Sequence, residues 1–207
     1  LLYAQSNIKS AILSENFNTF SFRFYADDYV DASTNSTPLD NIKKVVDVCK
    51  GFIRNFDNTY HNILLYGNTG VGKTFLANCI AKELLDQAHT VIYLTSFQLF
   101  DILEKNKFNK DADRYIIEDQ FSYILNCDLL IIDDLGTELN NSFISSQLYL
   151  CINERHLSQK STIISTILSF DDLSTHYSER IFSRITSNYI LLKIVGEDIR
   201  LKKAIAP

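Results

Sequence analysis

The run Gly67-Asn68-Thr69-Gly70-Val71-Gly72-Lys73-Thr74 puts three glycines, a lysine and a terminal hydroxyl into eight consecutive positions. That order suits a chain of phosphates. Gly67, Gly70 and Gly72 let successive backbone N–H groups turn inward toward phosphate oxygens. Lys73 brings a cation to the β- and γ-phosphates, and the Thr74 hydroxyl helps hold Mg²⁺. Asn68, Thr69 and Val71 complete the loop and Phe75 follows it, so the stretch is expected to wrap ATP or ADP. Further along, the apolar run "LLII" at 129–132 ends in Asp133 and Asp134. Asp133 is placed to bind Mg²⁺, directly or through water, and Asp134 to polarise an attacking water. A carboxylate beside the metal points to hydrolysis and not only to binding.

These groups need elements that carry them to one edge. "NILLYG" before the loop reads as a strand too apolar to face water on either side. "GKTFLANCIAKELLDQ" after it reads as a helix, the context the phosphate loop requires. Strand "TVIYLTS" follows, then two helical segments within 96–126, then strand "DLLIIDD", which delivers its C-terminal acids to the ligand edge of a parallel sheet. Helix "SFISSQLYLCINERHLSQ", strand "STIIST", helical pieces through "SERIFSRI" and a last strand "NYILLKIV" complete the alternation. The pattern predicts an α/β fold with a central parallel sheet of about five strands, flanked by helices on both faces. Residues 1–38 read as an irregular lead-in, aromatic-rich in "ENFNTFSFRFYADD" and polar in "DASTNSTP". Residues 39–207 are expected to form the nucleotide-binding domain, opening with a helix that has Pro38 in its first turn.

Composition sets outer bounds. The chain has 207 residues, 46% hydrophobic and 22% charged, which suits one domain with a real core. A net charge of −5 argues against coating duplex DNA by bulk electrostatics. No apolar stretch approaches the roughly 20 residues needed to cross a bilayer, and "LLYAQSNIKS" lacks the pattern of a signal peptide, so a cytoplasmic location is expected. The chain contains no Met, and reads as a fragment with an upstream portion missing. Cys49, Cys79, Cys127 and Cys151 form no C-x-x-C pair and are expected as buried reduced thiols. The four histidines show no metal-ligand spacing.

"GNTGVGKT", "LLIIDDLGTE", "STIIST", "YSERIFSRI" and "GEDIR", in this order and spacing, resemble the AAA+ domain of the DnaC/DnaI family of bacterial replicative helicase loaders, relatives of the initiator DnaA and the transposition helper IstB. The resemblance runs from about residue 40 to 203. It implies a P-loop ATPase whose ATP-bound subunits associate side by side, engage a DnaB-type ring helicase and help place it on single-stranded DNA. Helicase binding in that family belongs largely to a separate N-terminal domain, which is expected to be absent from this chain. By similarity, Arg184 resembles the arginine finger that reaches the γ-phosphate in a neighbouring subunit's site, with Arg180 as an auxiliary. Arg200 resembles the second sensor, contacting ATP in cis. Many related ATPases carry Glu where this chain has Asp134, one methylene shorter, so slow turnover is expected. Relatives usually carry Asn at the polar sensor position, where this chain has Ile167. Thr166 could substitute only through a one-residue shift of register.

The resemblance also directs attention to 97–126, which lines a single-strand path in relatives. Lys105, Lys107, Lys110 and Arg114 are interleaved there with Phe108 and Tyr115, the combination that binds single-stranded DNA, although nearby acids nearly cancel the charge. Two other readings stay open: an IstB-like transposition helper acting on duplex DNA, and a nucleotide-gated interaction module without significant hydrolysis.

Overall fold

The computed structural model describes residues 8–108, 114–138 and 141–205. The apolar runs become five strands, β1 (Asn62–Tyr66), β2 (Val91–Thr95), β3 (Leu129–Leu135), β4 (Ser161–Thr166) and β5 (Tyr189–Lys193). Every neighbouring pair is parallel, in the order β2-β3-β4-β1-β5. Ile63, Leu65, Leu129, Ile131 and Ile163 pack on one face of the sheet, whereas Leu64, Leu130, Ile132 and Ile164 pack on the other. Burial on both faces is why these strands read as continuous apolar runs without alternation.

The first face is covered by α2 (Pro38–Arg54) and α3 (Lys73–Asp86). Five helices contribute to the second core: α4 (Ser96–Phe108), α5 (Arg114–Asn126), α6 (Ser142–Leu157), α7 (Phe170–His176) and α8 (Glu179–Asn188). The sheet and its two helical layers match the expected architecture. Helix α2 begins where the sequence places it: Pro38 occupies the first turn, and the Thr37 hydroxyl accepts the Asp40 N–H at 3.1 Å.

The lead-in segment departs from expectation. Residues 8–37 carry a helix, α1 (Ile8–Ser14), and a 3₁₀ turn at Phe22–Phe24. Ile12 and Tyr25 are buried, with Phe17, Phe20 and Phe24 packed against the same core. The Asn16 side chain turns the chain out of α1: its Oδ1 accepts the Asn18 N–H at 3.0 Å and its Nδ2 donates to Leu13 O at 3.1 Å. Phe20, Phe22 and Phe24 alternate with Ser21 and Arg23 as a strand would, yet this stretch forms a 3₁₀ turn and joins no strand of the sheet. Only the surface that they cover explains them.

Arg155 of α6 was not singled out from sequence, yet it is wholly buried. Its guanidinium donates to the carbonyls of Ile124 (2.6 Å), Leu125 (3.1 Å), Cys127 (3.1 Å) and Ser161 (2.5 Å), and to the Thr162 hydroxyl (3.0 Å). It ties the end of α5 to the starts of β3 and β4, and satisfies carbonyls that would otherwise be buried without donors. All four cysteines are free and buried, and burial pushes the Cys49 and Cys151 thiols up to about 12. Among the described residues no helix is long and apolar enough to cross a membrane.

Candidate functional site

Strand β1 ends at Tyr66, and the loop from Gly67 to Gly72 leads into α3, whose first residue is Lys73. Two positions in the loop call for glycine. Gly67 has φ +142° and Gly70 φ +75°, and a Cβ would collide with the Ile194 carbonyl at the first and the Asp198 carboxylate at the second. The Ile199 N–H donates to Gly70 O at 3.0 Å, and the Tyr25 hydroxyl donates to Val71 O at 2.9 Å. The loop is thus clasped from both ends of the chain.

Lys73 is only 5% exposed, and its amine donates to the carbonyls of Gly67 and Asn68, both at 2.8 Å. Burial pushes its pKa down, while the charges of Asp134 and Asp133 work against that shift. The Thr74 hydroxyl donates to Asp133, 3.0 and 3.2 Å from the two carboxylate oxygens. Asp133 is 4% exposed and also accepts from Tyr93 at 2.7 Å and from Ser165. Burial and then the Asp133 charge push the Tyr93 phenol up, so it serves as a neutral donor. Thr74 and Asp133 are the hard oxygen donors that Mg²⁺ prefers. The pair suits an ion whose remaining ligands would be phosphates and water.

Asp134 faces the same cleft as Asp133, against the alternation of an ordinary strand. Its φ is +56°, and the pairing of β3 with β4 shifts register between Ile132 and Leu135. Burial and then the neighbouring Asp133 raise its carboxyl above the usual aspartate value, with Lys73 and Arg200 pulling the other way. The cleft has a volume of about 540 Å³. Thr69, Gly70, Gly72, Lys73, Thr74 and Phe75 line it together with Asp133, Asp134 and Arg200. Arg200 belongs to α9 (Ile199–Ile205), and its Nε lies 3.7 Å from Asp198.

Other residues named from sequence lie elsewhere. Arg180 is exposed in the first turn of α8, and Arg184, half-buried on the same helix, donates to Asn153 at 2.7 Å. Neither lines the cleft of its own chain. Ile167 does line it and is 45% exposed, whereas the buried Thr166 hydroxyl donates to Leu135 O at 2.6 Å. Lys105 pairs with Asp101 at 2.6 Å within α4. Lys110 lies outside the described residues, as do the side chains of Lys107 and Arg114.

The cleft also contains residues that motif reading missed. Glu15, Thr19, Phe20, Ser21, Phe24 and Tyr25 from the lead-in segment form one wall. Phe20 meets Phe75 edge-on, with ring centroids 5.6 Å apart. The density of aromatics in "ENFNTFSFRFY" was the available signal. Lys203 of α9 lines the cleft as well, its amine 5.3 Å from the Phe24 ring centre. Nothing local in the sequence marks Tyr93 or Ser165.

The replicative helicase loader DnaC of Buchnera aphidicola subsp. Baizongia pistaciae is 25% identical over 144 residues, which are 69% of this chain and 57% of that protein. The chromosomal replication initiator DnaA of Helicobacter pylori (strain ATCC 700392 / 26695) is 25% identical over 203 residues, 98% of this chain and 40% of DnaA. The chain therefore spans about half the length of these curated relatives. Among solved structures, a DnaC helicase loader superposes with TM-score 0.69 at 21% identity, covering 89% of this chain and 99% of that one. AMPPCP-bound DnaA from Aquifex aeolicus gives 0.68 at 21% identity, covering 92% of this chain and 53% of that one. The fold is that of the AAA+ P-loop ATPases. The family model described as IstB-like ATP binding protein matches residues 33–206, and the chain belongs to that family.

Proposed function

We propose that this chain binds ATP with Mg²⁺, hydrolyses it slowly, and helps load a DnaB-type replicative helicase onto single-stranded DNA as a nucleotide-dependent homo-oligomer in the cytoplasm. One observation carries the reading. The phosphate loop, the hydroxyl–carboxylate pair Thr74–Asp133 and the second acid Asp134 share one cleft, in a chain similar to a DnaC loader. In this reading Lys73 and the loop N–H groups hold the phosphates, while Thr74 and Asp133 hold the metal. Asp134 orients the attacking water, and Arg200 reaches the nucleotide from α9.

Arg184, with Arg180 beside it, is proposed to complete the site of an adjoining copy. A guanidinium supplied in trans is worth about 10³–10⁵ in rate in other phosphoryl-transfer enzymes. An isolated subunit is then a poor ATPase, and Ile167 at the cleft offers no hydrogen bond to the water. Turnover is expected below about 10 s⁻¹, the median for enzymes. Lys105, Lys107, Lys110 and Arg114 are proposed to meet the single strand weakly in one subunit, with assembly supplying avidity.

Size-exclusion chromatography with a non-hydrolysable ATP analogue tests the loader reading. A larger species should form only when single-stranded DNA is also present. Assembly on duplex DNA without a helicase would support a transposition helper instead, a reading favoured by the IstB-like description of the family. No assembly under any of these conditions would sink the loader reading.

A further inference from the structure

We propose that Ser165 is a positioning residue for both acids of the site, setting Asp133 and Asp134 through one buried hydroxyl. This rests on the ATPase reading above, which assigns the two acids their work. Ser165 is fully buried on β4, next to β3 in the sheet. Its hydroxyl donates to the Asp133 carboxylate and accepts the backbone N–H of Asp134 at 2.9 Å.

The second bond matters because Asp134 departs from strand geometry. Leu129 and Ile131 belong to the core on the α3 face, the side on which Asp133 meets Thr74, and Leu130, Ile132 and Leu135 belong to the core on the opposite face. Asp134 is thus the extra residue, inserted between Asp133 and Leu135 without returning its side chain to the far face. Its left-handed backbone, φ +56°, is uncommon for a residue other than glycine and persists only where surroundings hold it. Its amide cannot pair with β4 in the usual ladder because the register slips there, and the Ser165 side chain takes that donor. The Asp134 carbonyl is held in turn by the hydroxyls of Thr137 (2.9 Å) and Ser96 (3.2 Å). Ser165 also fixes one Asp133 oxygen, while Tyr93 donates to the other. One hydroxyl therefore couples the metal-binding acid to the placement of its neighbour, two residues before the position where Ile167 supplies no polar group.

The test has two arms. The first needs neither nucleotide nor metal: amide hydrogen exchange at Asp134 in the wild type and in Ser165→Ala, with the Ile132 N–H as internal reference. Loss of one buried acceptor should speed Asp134 exchange about tenfold relative to Ile132. Tyr93→Phe, which removes a donor from Asp133 alone, should leave Asp134 exchange as it is. Equal protection of Asp134 in the wild type and Ser165→Ala would overturn the proposal.

The second arm separates nucleotide binding from chemistry. Ser165→Ala should keep its affinity for ADP without Mg²⁺ within about twofold and lose roughly 30- to 100-fold in Mg²⁺-dependent turnover, the scale expected of an ångström-level misplacement. Ser165→Thr, which retains the hydroxyl, should recover most of that loss. Unchanged turnover in Ser165→Ala, beside an active wild type, would refute the positioning role. Turnover is read under the assembly conditions above, with single-stranded DNA present; a wild type inactive even there would refute the ATPase reading and leave the exchange arm to judge the hydrogen bond. Should the alanine variant not fold, Ser165→Cys, close in shape but a weaker donor and acceptor, carries both comparisons.

Discussion

Lys73 and Asp134 face one cleft, and in the proposed reading they act at different stages. The Lys73 amine, held by two loop carbonyls, is poised to exchange them for phosphate oxygens. Lys73→Ala should therefore weaken ATP binding by about 10- to 100-fold, the value of a charge-assisted hydrogen bond. Asp134→Asn keeps the shape and removes the charge, so affinity should stay within about threefold while turnover falls by about 10² or more. Titration with a fluorescent ATP analogue and a phosphate-release assay separate the two effects. Undiminished turnover in Asp134→Asn would place water activation elsewhere. Intact helicase loading without turnover would favour the nucleotide-gated module. The loop residues were legible because their chemistry is consecutive in the chain. Ser165 and Tyr93 were not, since a hydroxyl on a buried strand means nothing until its neighbour across the sheet is known.

At the scale of elements, Asp128 joins three strands at their entrances. Its carboxylate accepts the Thr90 N–H (2.9 Å) and hydroxyl (2.7 Å) beside β2, and the Lys160 amine (2.9 Å) just before β4. Burial alone would raise its pKa, but these bonds outweigh it and hold the group at about 2. A depressed folded pKa adds stability above the ordinary aspartate value of about 3.9, and that contribution is lost as pH falls toward about 2. Asp128→Asn should cost about 1 kcal/mol at pH 7, a figure reduced for a side chain about one-third exposed. Urea denaturation at several pH values should show the gap between wild type and variant closing by about pH 2. Element types were readable from short apolar runs for the strands and helical spacing for the helices, but ends were less so. The predicted strand reaching Val195 stops at Lys193, because beyond it Val195 donates to the Asn41 side chain and leaves the ladder.

Across the whole molecule, the cleft lies between the phosphate loop, the lead-in segment and α9. A nucleotide bound there bridges distant parts of the chain and should stabilise all of them together. At about 100 times its Kd, ATP analogue should add about 2.7 kcal/mol, a rise in Tm of roughly 5–10 °C for a domain of this size. Phe20→Ala removes a ring packed on Phe75 and should at least halve that rise at fixed ligand concentration. An unchanged rise in differential scanning fluorimetry would remove the lead-in segment from the binding site.

The sequence alone determined the phosphate chemistry and the parallel sheet. The first follows from glycines, a cation and a hydroxyl standing side by side, and the second from strands buried on both faces. Only the tertiary structure decided which segment walls the cleft, how Asp134 comes to share a face with Asp133, and why an arginine lies wholly buried in α6. Each depends on residues far apart in the chain meeting at hydrogen-bond distance, and such meetings are fixed by strand register and one left-handed backbone position, neither of which leaves a local pattern to read.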